Sequence, residues 1–177
     1  MTSAAYRVTR LGPGFDVGAF DCGEETYNGW LRDHAAGAVA AGSAAVYLLL
    51  EQAQPHDGER VVGYFAICPT LVVRDKIPRP LRGGVLRAAP GWLLAKLALD
   101  RSLRGDGDRR WGAQLLREAL QVIVRSADQG GGQIIVVNAD NARLVDWYKR
   151  HGFRSTDERE LRLFMKVSTA RKYLPGD

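Results

Sequence analysis

The stretch LAKLALDRSLRGDGDRRWGAQLLREAL, Leu94–Leu120, constrains the fold more than any other part of the chain. WLLAKLAL, Trp92–Leu99, is short and apolar, as a strand buried on both faces would be. Asp100–Arg110 is polar, charged and glycine-rich. Trp111, Leu115, Ala119, Leu120 and Ile123 then recur at helical spacing, which predicts a helix over Trp111–Ala127. Glycines at 105, 107 and 112 let successive backbone N–H groups turn toward one point. The helix start adds unpaired donors and a positive dipole end. The junction therefore reads as an anion cradle, reinforced by Arg104, Arg109 and Arg110. No Gly-Lys-Ser/Thr follows, and the six-residue dinucleotide fingerprint is absent, so neither of those phosphate loops is present. Taken alone, the same residues fit a purely structural turn.

The remaining elements agree with a mixed α/β domain. Tyr6–Leu11 reads as a first strand. From Glu24, Tyr27, Trp30, Leu31 and His34 share a helical face, with Gly37 and Gly42 ending the helix. Ala44–Leu50 and Arg60–Val73 read as a hairpin around the turn QAQPHDGE. Arg74–Gly91 reads as a long loop, a length that usually signals function or mobility. After GGG at 130–132 come a strand, Ile134–Val137, and a helix, Asn141–His151, capped by Gly152. Phe153 should start a closing strand that pairs with Arg162–Lys166. With 177 residues, 46% hydrophobic and 25% charged, residues 1–177 are expected to be a single globular domain. That composition excludes a disordered chain, a collagen-like repeat and a disulfide scaffold. No apolar run approaches the roughly 20 residues that span a bilayer, and no export leader opens the sequence. Cys22 and Cys68 lack metal-ligand spacing and read as reduced thiols, so a cytoplasmic protein without a metal is expected.

Charge is unevenly placed. Met1–Arg60 holds four basic and eight acidic residues, and Val61–Asp177 holds twenty-one and twelve, for the net +5. The excess begins at Arg74, Lys76, Arg79, Arg82 and Arg87. It favours a polyanionic partner, either nucleic acid or a phosphate-rich cofactor. A solvated basic surface is the alternative.

NADNARLVDWYKRHGF, Asn138–Phe153, supplies an Asn at a strand end, a short helix with Tyr148, and a Gly-Phe exit. Alone, Asn141 is an N-cap and Tyr148 a packing aromatic. The glycine loop and helix followed by Asn–helix–Tyr–Gly-Phe together resemble the GCN5-related N-acetyltransferase (GNAT) superfamily. FDCGEETYNGWLRDHA (Phe20–Ala35) and LLAKLALDRSLRG (Leu93–Gly105) further resemble the GNAT toxins of bacterial toxin–antitoxin pairs, from about Phe15 to Lys166. One departure stands out: Asp108-Arg109-Arg110 intervenes before Trp111-Gly112-Ala113, as an insertion of about three residues. Direct spacing would instead put Arg109 at the family's last glycine.

The resemblance implies an α/β (α+β) fold with a mixed, mostly antiparallel sheet, flanking helices and a V-shaped splay between strands 4 and 5. It implies acetyl-coenzyme A as donor, with its diphosphate on the N–H groups of Arg104, Gly105, Asp106, Gly107, Gly112 and Ala113. The pantetheine arm would pair with Leu97, Ala98 and Leu99, where a backbone N–H near Ala98 or Leu99 could polarise the thioester. Asn138 and Asn141 fall to the cofactor, and Tyr148 becomes the acid that protonates the leaving thiolate. The acceptor it implies is the α-amine of aminoacyl-tRNA, with Arg74, Lys76, Arg79, Arg82 and Arg87 as candidate tRNA contacts. A small DNA-binding antitoxin and a homodimer are the partners it implies. No histidine sits in the motif to act as general base, and His151 reads as a helix cap. An α-amine, with a pKa of about 7.7–8.0, is partly neutral without one, whereas a lysine at about 10.4 is not. The alternative is a GNAT enzyme acting on a small-molecule or protein amine. A non-catalytic module that grips another phosphate ligand is a third reading.

Overall fold

The computed structural model describes residues 5–52, 58–105, 107 and 109–174. The tip of the QAQPHDGE turn, Asp106 and Asp108 lie outside the described residues. In order come β1 (Ala5–Arg10), α1 (Glu25–Asp33), α2 (Ala35–Ala40), β2 (Ala45–Gln52), β3 (Arg60–Val73) and β4 (Ala88–Leu99). After them come α3 (Trp111–Gly130), β5 (Ile134–Asn138), α4 (Ala142–Arg150), β6 (Arg162–Lys166) and α5 (Val167–Tyr173). The six strands form one sheet in chain order. Pairs β1–β2, β2–β3 and β5–β6 are antiparallel, and β4–β5 is parallel. A parallel neighbour needs a crossover element, and α3 supplies it. The β4–β5 register runs from Gly91↔Ile134 to Leu94↔Val137 and stops there, while β4 continues to Leu99. This is the expected splay between strands 4 and 5 of an α+β GNAT fold.

Two compact units share these elements. Met1–Ile67 with Lys96–Glu118 packs Phe20, Cys22, Leu31, Val46, Leu48, Leu50, Tyr64 and Ala98 into one core. Cys68–Ala95 with Ala119–Asp177 packs Val72, Ile77, Leu81, Val85, Ala89, Ile134, Val136 and Phe164 into another.

Several boundaries differ from the sequence reading. The first helix breaks at His34, whose backbone leaves the helical region at φ −124, and Gly37 lies inside α2 rather than ending it. Strand β4 begins four residues earlier than expected and is only partly buried, with Lys96 half-buried. Lys96 Nζ stands 5.4 Å and 5.5 Å from the ring centres of Tyr27 and Trp30, so β4 carries a cation on a face the sequence reading made apolar. The Arg74–Gly91 segment is not structureless. It holds two 3₁₀ turns, Arg74–Lys76 and Arg79–Leu81, and the Gln133 amide bridges Gly84 O and Leu86 N at 2.9 and 3.0 Å. Helix α3 runs on to Gly130. No strand forms at Phe153: Arg154 makes a single bridge to Phe164. Asp157 then turns the chain by accepting from Arg159 N at 3.0 Å, an Asx turn that competes with pairing. Helix α5 was not foreseen.

Candidate functional site

The end of β4 and the start of α3 lie in the first unit. Ala98 is buried, and Leu97 and Leu99 are half-buried. Asp100 follows and caps a 3₁₀ turn over Arg101–Leu103 by accepting from Ser102 N at 3.0 Å. Gly105 takes φ +87 with open space around its β position, a conformation L side chains disfavour. Gly107 is exposed, as are Arg109 and Arg110. Arg109 stands 6.0 Å from the Trp111 ring. Arg110 also sits at positive φ, +48, which costs a non-glycine residue about 1–2 kcal/mol. Arg110→Gly is therefore expected to keep or slightly raise the melting temperature, while Arg110→Ala brings no gain.

Trp111 is buried and packs on Tyr6 at 4.3 Å. Tyr6 in turn donates to Glu51 Oε1 at 2.7 Å, so the start of α3 is fixed to the β1–β2 pair. The first bond into α3 runs from Gln114 N to Arg110 O at 3.1 Å. The N–H groups of Trp111, Gly112 and Ala113 precede it, in a first turn without acidic residues. Such an arrangement offers unpaired donors and a positive dipole end to an anion. One side-chain expectation changes: Arg104 donates a guanidinium N–H to Cys22 O, which commits part of the group to the protein rather than to a ligand.

Asn138, Asn141 and Tyr148 lie in the second unit. Asn138 is exposed and closes β5 opposite Arg162. Asn141 caps α4, its Oδ1 accepting from Leu144 N at 3.0 Å. The cap reading thus holds for its oxygen and leaves its amide N–H groups for any other partner. Asn141→Ala is expected to cost about 1 kcal/mol, read by thermal unfolding, whereas Asn141→Asp keeps the cap. If acetyl-CoA affinity falls in both variants, the amide N–H groups bind the cofactor as well.

Tyr148 is buried on α4, edge-on to Trp147 at 5.0 Å and Phe153 at 5.4 Å. Burial, and next the Asp140 carboxylate, push its phenol well above the ordinary value. It therefore keeps its proton throughout the neutral range. His151 is the C-cap of α4, its Nδ1 donating to Trp147 O at 2.8 Å, as the cap reading expected.

The basic stretch also lies in the second unit. Lys76, Arg79 and Arg87 are exposed. Arg74 Nε stands 3.8 Å from Asp75. Arg82 behaves differently from the expectation for a tRNA contact: its Nε donates to Ile77 O at 3.1 Å and its Nη2 to Asp75 O at 2.9 Å, so it holds the loop together. Arg79 and Arg82 face an open groove of about 1220 Å³, together with Lys149, Arg154 and Lys166.

Sequence reasoning missed Asp21, Asn28 and Asp100. The available signal was Asp-Arg-Ser directly after a strand, a pattern that favours a side chain bonding the backbone two residues on. Among the described residues no helix is long and apolar enough to cross a membrane, and no His/Cys/Asp/Glu cluster could hold a metal ion.

No protein-family model matches the chain. It is 31% identical over 163 residues to a tRNA-acetylating toxin of Mycobacterium tuberculosis, covering 91% of this chain and 93% of that protein. The structure of AtaT complexed with acetyl-methionyl-tRNAfMet superposes with a TM-score of 0.81 at 27% identity, over 96% of this chain and 99% of the other. A tyrosine-to-phenylalanine mutant of AtaT, bound to the C-terminus of the antitoxin AtaR and acetyl-CoA, superposes with a TM-score of 0.76 at 26% identity, over 95% and 97%. The chain belongs to the GCN5-related N-acetyltransferase superfamily, among the toxins of type II toxin–antitoxin systems.

Proposed function

We propose that this chain is an acetyl-CoA-dependent N-acetyltransferase, a toxin that acetylates the α-amine of aminoacyl-tRNA and so blocks translation. The observation that carries the reading is likeness over nearly the whole chain, in sequence to a tRNA-acetylating toxin and in fold to AtaT holding an acetylated aminoacyl-tRNA. On this reading residues 1–177 act as one catalytic domain in the cytoplasm, with a small DNA-binding antitoxin and a second copy of the chain among its partners.

The residues present suit acetyl-CoA. The acid-free first turn of α3 and the glycine loop before it offer N–H groups to a diphosphate. Bound there, the cofactor supplies an activated acetyl thioester. We assign diphosphate binding to the backbone of Arg104, Gly105, Asp106, Gly107, Gly112 and Ala113, with Arg109 and Arg110 adding positive charge. Leu97, Ala98 and Leu99 would hold the pantetheine arm as an added strand, and the N–H of Ala98 or Leu99 would polarise the thioester carbonyl. Asn138 and the Asn141 amide would complete the contacts. Tyr148 holds the proton for the departing sulfur. The acceptor amine arrives partly neutral because its pKa is low, which suits a chain with no histidine in the motif.

The exposed cations Lys76, Arg79 and Arg87, with Arg74, are assigned to the tRNA backbone. The decisive assay incubates the protein with charged tRNA and labelled acetyl-CoA, expecting label on the aminoacyl group. Label appearing only on free amines or proteins would select the small-molecule or protein acceptor. Replacing Lys76, Arg79 and Arg87 with Ala is expected to raise KM for tRNA and to flatten its salt dependence by about 0.7 in log–log slope per lost phosphate contact. Unchanged turnover at low salt in that variant would remove the cluster from RNA binding. Arg82 is left out because its loss would unmake the loop.

A further inference from the structure

Asp100 is the one buried charged side chain among the described residues, 6% exposed. A buried carboxylate is costly unless its oxygens are satisfied. Here each oxygen has its own N–H: Oδ1 takes Ser102 N and Oδ2 takes Asp21 N, both at 3.0 Å. Arg60 Nη1 stands 3.7 Å away, and the Arg60 Nη2 donates to Glu51 Oε2 at 2.6 Å and to Ser102 Oγ at 3.0 Å. Burial pushes the Asp100 carboxyl up, but the two N–H groups and Arg60 outweigh it, and the group ends below its ordinary value. Capping the turn after β4 would need only the Ser102 bond. The second oxygen reaches a segment 79 residues away in sequence.

That segment is tied back in turn. Arg101 N donates to Asp21 O at 2.9 Å, the Arg101 guanidinium stands 3.1 Å from Asp21 Oδ2, and Arg104 reaches Cys22 O. Asp21 Oδ1 accepts from Gly23 N at 2.8 Å and from Asn28 Nδ2 at 2.9 Å, while Asn28 Oδ1 accepts from Cys22 N at 2.9 Å. Asn28 belongs to α1, the helix whose Tyr27 and Trp30 flank Lys96 of β4. Continuous hydrogen bonds therefore run from the loop after β4 through Asp100, Asp21 and Asn28 into α1.

We infer that Asp100 is a positioning residue that sets the diphosphate-binding loop and, through Asp21 and Asn28, couples that loop to α1. The inference rests on the cofactor reading of the loop. A chain of satisfied polar groups shifts as a unit, so ordering the loop around a diphosphate should also steady α1. Asparagine at 100 can accept one of the two N–H groups but sets an NH₂ against the other.

The test uses coenzyme A alone, by titration calorimetry and amide hydrogen exchange on the full chain. Wild type should bind it and slow exchange at Cys22 and Asn28. Asp100→Asn should weaken binding at least tenfold and abolish that protection, while kcat at saturating acetyl-CoA and tRNA stays within about threefold. Asp21→Asn removes a half-exposed carboxylate, so it tests the link without emptying a buried charge. It should weaken binding severalfold and lose the same protection. Adding Asn28→Ala to Asp21→Asn should cost less than the separate losses predict. Wild-type affinity and protection in both variants would overturn the inference alone. A wild-type chain that fails to bind coenzyme A would overturn the cofactor reading, and the inference with it.

Discussion

Tyr148→Phe is expected to slow acetyl transfer by about 10²–10³-fold, the usual weight of a positioned general acid, with acetyl-CoA affinity changed less than about twofold. The ring stays, so its contacts with Trp147 and Phe153 stay, and only the hydroxyl is lost. A free thiol has a pKa of about 8.5. The Tyr148 phenol, raised above its ordinary value by burial and Asp140, is the weaker acid of the two. It is therefore never idle as phenolate at working pH, and it yields its proton only as charge builds on the departing sulfur. The sign of the pH dependence follows. A raised pKa keeps the donor form present below it, so ionisation of Tyr148 takes no activity away below about pH 10. Activity should rise with pH as the acceptor amine loses its proton, then stay flat through pH 9.5. A descending alkaline limb near pH 8, absent from Tyr148→Phe, would mean the phenol titrates far lower than its surroundings dictate. Normal turnover in Tyr148→Phe would take the residue out of the chemistry altogether.

Gly91→Ala is expected to destabilise the second unit severely. A β-carbon there would stand 2.7 Å from Ile134 O and 3.1 Å from Val72 Cγ2. The first of these is backbone of the parallel partner strand, so a side-chain rotation cannot relieve it. Pushing β5 away strains the Gly91↔Ile134 end of a four-residue register. Overpacking of this kind costs about 3 kcal/mol, or roughly 6–12 °C in melting temperature for a chain of this size. Gly105→Ala meets open space instead and carries only the strain of φ +87. It should melt within a few degrees of wild type while weakening acetyl-CoA binding. Equal melting temperatures for Gly91→Ala and wild type, by scanning calorimetry, would show that the two strands can separate freely at that point.

The contrast between these glycines shows how far the sequence could be read. Gly105 was visible as part of a loop because glycine clusters between a strand and a helix have few other uses. Gly91 looked like the end of a long loop, because its need for closeness comes from Ile134, which is far away in sequence. Arg82 and Arg79 look alike in sequence and both line the groove, yet Arg82 also clamps the Ile77 and Asp75 carbonyls. Asn141 was read correctly as a cap because capping is local, decided within three residues. Asp100 was passed over because its second bond, to Asp21, has no local trace.

Periodicity, glycine placement and cap residues act over one turn or one strand, so the sequence alone determined the succession from β2 to α4, the loop at the start of α3 and the place of Tyr148 on a short helix, but not the break at His34, the bridge at Arg154 or α5. Partners distant along the chain decided the rest. The three-dimensional fold ended the β4–β5 pairing at Leu94, put Lys96 against Tyr27 and Trp30, buried the Tyr148 ring deeply enough to hold its proton, and joined Asp100 to α1 through Asp21. Each of these depends on which surfaces meet, and a carboxylate or a phenol takes its chemistry from the groups that fold against it.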